Sequence, residues 1–70
     1  MIPLTVAPAG EEHIIKRIGG NEEVRHHLES LGFTAGAAVK VISTLSASVI
    51  VNVKDSRVAI GKDMAAKIMV

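Results

Sequence analysis

Three histidines, His13, His26 and His27, are the side chains of this 70-residue sequence best suited to bind a metal ion. His26 and His27 each follow a glutamate by four residues, Glu22 and Glu23 respectively, in a segment that predicts a helix. Residues spaced i, i+4 share a helix face, so each pair can offer two ligands to one ion. His26 and His27 themselves project about 100° apart on a helix and cannot easily bind one ion together. Because a transition-metal ion prefers several ligands, we interpret these residues as a solvated helix face, with weak metal binding as the alternative.

No combination of residues indicates catalysis. None of the serines has the flanking residues of a nucleophile elbow. Gly61-Lys62 is followed by Asp63, so the phosphate-loop pattern of Gly-Lys before Ser or Thr is absent. The chain has no cysteine, which excludes disulfides and thiolate metal sites. The sequence therefore predicts a binding protein rather than an enzyme.

The composition narrows the classes of partner. Eight Lys and Arg residues against seven Asp and Glu give a formal charge of +1, and Phe33 is the only aromatic residue. Balanced charge and no aromatic platform argue against a nucleic-acid-binding barrel, which we keep as a minor alternative. Apolar residues make up 49% of the chain, so some must lie on the surface, where a patch would bind a protein partner or allow weak self-association. No apolar stretch reaches the length of a membrane span and no export signal is present, so we expect a cytoplasmic protein.

One helix is clearly predicted, from Glu22 to Leu31. Asn21 suits the N-cap, and two glutamates follow it in the first turn. Val24, Leu28 and Leu31 recur at i, i+4 and i+7 and form one apolar stripe. Gly32 fits the left-handed residue that ends a helix, and Phe33 would then contact Leu28 in a Schellman motif.

Alternating apolar residues predict strands over most of the remaining chain. Asp63 to Ala66 resembles a single helical turn, Thr44 to Ser48 a connection, and Asp55-Ser56 a tight turn. Short connections favour antiparallel neighbours, and short strands bury a core best by closing into a small barrel. We therefore predict one mostly β domain over residues 1–70, a small barrel of five to six short antiparallel strands with one inserted helix. The predicted strands are Met1–Val6, Glu12–Ile18 (twisted and bulged), and segments around Val39–Val41, Val49–Val53, Val58–Ile60 and Ile68–Val70.

The segment from residue 28 to 36, Leu-Glu-Ser-Leu-Gly-Phe-Thr-Ala-Gly, resembles the signature of the FeoA family. That signature is a basic helix ending in leucine, then Leu-Gly-Phe or Leu-Gly-Met, two residues and a glycine before a valine-rich strand. Other segments resemble the family in the same order. Gly19-Gly20 precedes the helix, and Arg57–Gly61, Ala65-Ala66 and Ile68–Val70 follow it. The resemblance covers essentially the whole chain.

The resemblance implies an SH3-like barrel and a function in ferrous-iron transport. It further implies a cytosolic adaptor of the membrane ferrous-iron permease FeoB, which carries a cytosolic GTPase domain. It implies no resident cofactor, and weak Fe²⁺ binding would depend on the histidines. Whether such an accessory activates, inhibits or assembles the permease stays open, and a metal-responsive binding module is the main alternative function.

Two surfaces are candidates for binding the partner. The first is the end of the helix, with Arg25, Leu28, Leu31 and Phe33, where the helix covers only part of a small barrel. The second is Leu45 in the Thr44–Ser48 connection. The competing interpretation is that Leu28, Leu31 and Phe33 simply hold the helix end against the barrel.

Overall fold

Six short strands and two helices follow one another along residues 1–70, all of which the computed structural model describes. The longer helix has nine residues and the other has four. In chain order the elements are a 3₁₀ helix Leu4–Val6, β1 Glu12–Ile14, β2 Arg17–Ile18, α1 Glu22–Ser30, β3 Ala38–Thr44, β4 Ser48–Val53, β5 Ser56–Gly61, α2 Lys62–Ala65 and β6 Ile68–Met69.

The strands form two antiparallel sheets. One sheet has four strands in the order β1-β3-β4-β5, and the other pairs β2 with β6. Burial alternates strictly along β4, where Val49, Val51 and Val53 are buried while Ile50 and Asn52 lie on the outer face. The predicted mostly β fold of short antiparallel strands with an inserted helix is confirmed.

Both sheets and both helices contribute to one core of 14 buried residues, all of them apolar. Leu28 from α1 and Phe33, which follows it, are 0% exposed, and Phe33 is the largest fully buried side chain. A chain of this length buries only about 60% of the surface that it exposes when unfolded. Each core residue therefore carries a large share of the stability.

Local interactions define both ends of α1. The side chain of Asn21 accepts a hydrogen bond from the Val24 N–H at 2.8 Å, as predicted for an N-cap. At the other end the Phe33 N–H donates to the Leu28 carbonyl at 3.0 Å, and the Gly32 N–H donates to the Glu29 carbonyl at 3.0 Å. Gly32 has φ +104°, the left-handed conformation of a Schellman motif. The predicted motif is confirmed, with the helix one residue shorter because Leu31 is its C-cap.

Replacing Asn21 by alanine is expected to lower the free energy of unfolding by about 0.5–2 kcal/mol, because the Val24 N–H loses its acceptor. Urea unfolding followed by far-UV circular dichroism measures the change. Asn21→Ser is the matched control, since serine caps about as well as asparagine. Equal stability of the alanine variant and the natural chain would show that the cap contributes nothing here.

The predicted strand Met1–Val6 is wrong. Leu4 to Val6 form a 3₁₀ helix, and strand-like pairing is confined to Ile2, which exchanges backbone hydrogen bonds with Val70, and Pro3, which forms an isolated bridge to Met69. Proline cannot donate to a ladder, so it disfavours a regular strand at this point. The turn places Leu4 in the core at 1% exposure and leaves Val6 63% exposed, whereas a strand would have placed both on one face.

The predicted single strand Glu12–Ile18 is in fact two strands in different sheets. β1 pairs with β3, whereas β2 pairs with β6. The chain passes from one sheet to the other between Ile15 and Lys16. The Ile15 N–H donates to the Ala37 carbonyl, next to β3, and the Lys16 N–H donates to the Met69 carbonyl in β6. The imperfect apolar period reflects this change of sheet rather than a bulge.

The β4–β5 turn lies one residue earlier than predicted. Lys54 and Asp55 carry the positive φ angles, +49° and +64°, that a two-residue hairpin turn of this hand requires. Ser56 is already paired with Val53. This difference moves Lys54 from the end of a strand into the turn.

Candidate functional site

The helix-end candidates differ in how accessible they are. Leu28 and Phe33 are 0% exposed and belong to the core. Leu31 is half-buried and packs against that core, while Arg25 is exposed on α1. The side chains of Leu28 and Phe33 therefore hold the helix end against the sheets, and only Arg25 and part of Leu31 offer surface to a partner.

Leu45 is displayed on a well-defined turn. Its side chain is 48% exposed. The Leu45 N–H donates to the Ser48 carbonyl at 2.8 Å, which closes the β3–β4 connection. The Ala47 carbonyl accepts from the Lys62 N–H at 3.1 Å, which fixes the same connection to the start of α2. A partner that contacts Leu45 would thus meet a surface that is already ordered, so little conformational entropy is lost on binding.

The structure exposes further apolar side chains that the sequence did not single out. Met1, Ile2 and Val6 near the N-terminus are 71%, 39% and 63% exposed, and Ile14 on β1 is 51% exposed. The alternation of Ile2, Leu4 and Val6 predicts that all three lie on one buried face, so it did not indicate that Ile2 and Val6 are exposed. The signal that could have revealed it is Pro3, which interrupts a strand.

The structure brings together only one of the two histidine–glutamate pairs. His26 Nε2 lies 3.7 Å from Glu22 Oε1, and these side chains are 68% and 78% exposed. His13 lies on β1, away from α1, with its Nε2 3.5 Å from the Pro8 carbonyl oxygen. No three His, Cys, Asp or Glu side chains are grouped so that they can hold one metal ion.

Anaerobic titration with Fe²⁺ is expected to shift the ring resonances of His26 weakly and without saturation up to low millimolar concentration. The reason is that only two ligands are offered and both are exposed, so they compete poorly with water for a ferrous ion. His13 resonances serve as the internal control, and Glu22→Gln should weaken the shift further. A stoichiometric, saturating shift at micromolar iron would contradict this expectation and favour the metal-responsive alternative.

The helices of this chain fall short of a membrane span, because none is both long and apolar enough to cross a bilayer.

Known proteins resemble this chain over its whole length. The FeoA domain family matches residues 2–70. A Methanocaldococcus jannaschii protein named "Putative Fe(2+) transport protein A" is 41% identical over 70 residues, which are 100% of this chain and 85% of that protein.

Solved structures show the same architecture. A crystal structure of the iron uptake regulatory protein FeoA matches with a TM-score of 0.90 at 33% identity, covering 97% of this chain and 92% of that one. The structure of Stenotrophomonas maltophilia FeoA complexed with zinc, described as a prokaryotic SH3 domain protein, matches with a TM-score of 0.83. Its identity is 19%, with 99% of this chain and 88% of that one covered, so it bears on the fold alone. The predicted SH3-like fold is confirmed.

Proposed function

The chain belongs to the FeoA family, and from this membership we propose that it is a cytoplasmic adaptor of ferrous-iron uptake that binds the cytosolic part of a FeoB-type, GTPase-linked Fe²⁺ permease. In this function the permease supplies the path across the membrane and the hydrolysis of nucleotide. The 70-residue domain contributes a binding surface, without catalysis and without a resident cofactor.

The observation that carries the proposal is the full-length match. The family model covers residues 2–70, and the M. jannaschii relative is 41% identical over all 70 residues of this chain. Similarity of this extent supports a shared process, ferrous-iron transport. The choice of the permease as the contacted component is the finer part of the proposal and requires a direct test.

We assign the contact to the Leu45 connection, with Arg25 and Leu31 of the helix end as a second contact. Leu45 is a large apolar side chain, 48% exposed, on a connection held by two backbone hydrogen bonds. Complete burial of a fully exposed leucine is worth about 1.5–3 kcal/mol, and Leu45 can contribute roughly half of this because about half of it is already covered. Arg25 is exposed on α1 and forms no ion pair, so its guanidinium is free for a carboxylate of the partner.

Uptake of radiolabelled ferrous iron tests the proposed function. A strain that keeps its FeoB-type permease but lacks its own FeoA protein should take up more iron when this chain is expressed. A second strain that lacks the permease as well is the control and should show no gain. Unchanged uptake in the first strain, with the protein present and folded, would contradict the proposal.

A further inference from the structure

The largest concave surface of the molecule is a groove on the outer face of the four-stranded sheet, with a volume of about 810 Å³. Neither Leu45 nor any of the helix-end candidates discussed above lines it. Its lining is polar except for Ala37 and Ala38, whose small side chains leave room above β3. No pattern in the sequence predicted this groove.

The strand register places four polar residues in one row across this face. Glu12 of β1 is opposite Lys40 of β3, Lys40 is opposite Asn52 of β4, and Asn52 is opposite Arg57 of β5. Neighbouring strands lie about 4.8 Å apart, so Lys40 and Arg57 flank Asn52 on its two sides. Lys54 also lines the groove, two residues beyond Asn52 along the chain. Three cationic side chains therefore surround one amide.

These cations are available to a ligand. Among lysine, arginine and histidine side chains only His26 forms an ion pair within 4.0 Å, so neither Glu12 nor Asp55 pairs directly with any of the three. Lys40, Lys54 and Arg57 are exposed, whereas Asn52 is partly buried. The stem of Lys54 packs beside Gly32, where a Cβ would lie 3.4 Å from the Lys54 Cδ.

We propose that this groove binds an acidic segment of a protein partner, with one carboxylate held above Asn52. The Asn52 amide can donate hydrogen bonds to the carboxylate. Arg57 can donate two parallel hydrogen bonds, and Lys40 and Lys54 supply positive charge from the other sides. This surface is additional to the Leu45 connection, so its test can fail without affecting the proposed adaptor function.

The charges at the margins of the groove favour a short acidic peptide over a nucleic acid. Glu12 on the edge strand and Asp55 in the turn would repel the phosphates of an extended polyanion. Glu12 and Asp55 lie at the margins, so they tolerate one ligand carboxylate at the centre of the groove. They can also pair with basic residues elsewhere in the bound peptide. Phe33, the sole aromatic residue, is buried, so nucleotide bases find no stacking surface.

An NMR titration of ¹⁵N-labelled protein tests this inference. The probe is a capped synthetic peptide of sequence Gly-Ser-Glu-Asp-Ser-Gly, and the matched peptide carries Gln-Asn in place of Glu-Asp. The acidic peptide is expected to shift the amides of Lys40, Asn52 and Arg57, with weaker binding at high salt. Arg57→Gln should weaken binding roughly 1.4- to fivefold, since an exposed ion pair is worth about 0.2–1 kcal/mol. Adding Lys40→Gln should weaken it further.

Lys16→Gln is the matched control variant, because it removes the same charge from an exposed position outside the groove. It should bind the acidic peptide as the natural chain does. Equal shifts with the neutral peptide would overturn the inference, as would an equal loss of binding in the Lys16 variant. Shifts with inorganic phosphate or a nucleotide but not with the acidic peptide would also overturn it and identify a phosphate site instead.

Discussion

Replacing Phe33 by alanine is expected to lower the free energy of unfolding by about 3–5 kcal/mol. Phe33 is the largest fully buried side chain, and it lies directly after the glycine that ends α1. Its removal leaves a cavity between the helix end and the sheets. Proteins are stable by about 0.05–0.15 kcal/mol per residue, which is roughly 4–10 kcal/mol for this length. The substitution should therefore remove a third of the stability at least, and all of it at the lower limit.

Urea unfolding followed by far-UV circular dichroism measures this loss, with an amide NMR spectrum to report the folded fraction. Phe33→Leu should cost less, because it keeps most of the apolar volume. Val6→Ala is the surface control; Val6 is 63% exposed, and its truncation should change stability by less than about 0.5 kcal/mol. A loss below about 1 kcal/mol for Phe33→Ala would show that the helix end is not part of the core.

Replacing Leu45 by glutamate is expected to leave the fold intact and to weaken binding to the permease's cytosolic GTPase domain at least about tenfold, which corresponds to 1.4 kcal/mol. The new carboxylate would be exposed in the free protein, since Leu45 is already 48% exposed. In the complex it would lose the apolar contact and bury a charge without a partner. Isothermal titration calorimetry with the purified domains measures the change.

Val6→Glu is the matched control for this experiment. Val6 is also a large exposed apolar residue, but it lies in the N-terminal segment and outside the proposed contact. It should bind with the affinity of the natural chain. Leu45→Glu binding as tightly as the natural chain would place the contact elsewhere, with the helix end as the next candidate.

The features that the sequence predicted best are those set by neighbouring residues. The limits of α1 follow from Asn21, Gly32 and Phe33, which act within one helical turn of each end. The alternation of Val49, Val51 and Val53 likewise identifies a strand with one buried face. In these cases the interaction partners are close in sequence, and the pattern alone is sufficient.

The features that the sequence missed depend on distant partners. Whether residues 12–18 form one strand or two depends on β3 and β6, which lie more than 20 residues further on. The row of polar residues across the groove depends on the register of four strands. In addition, β3 and β4 shift in register between Val41 and Ser43. The change of sheet leaves only an imperfect apolar period, which a bulge would also produce, and the register shift leaves no pattern that alternation can show.

The candidate partner surface was predicted in part. Leu28 and Phe33 have the spacing expected both of a core stripe and of an exposed apolar groove, and the structure shows that the barrel covers them completely. Leu45 was identifiable because it stands among serines in a connection, where no regular element would bury it. An isolated apolar residue in a polar loop was thus the more specific signal.

The most direct test of the proposed function is an NMR titration of the ¹⁵N-labelled protein with the soluble GTPase domain of the permease, with and without nucleotide. We predict localised amide shifts in residues 44–48 and around Arg25 and Leu31, with core residues such as Val51 unaffected. Shifts confined to these surfaces would establish a specific adaptor contact. A spectrum that does not change at low millimolar concentrations of the GTPase domain, in any nucleotide state, would contradict the proposal that this chain acts by binding it.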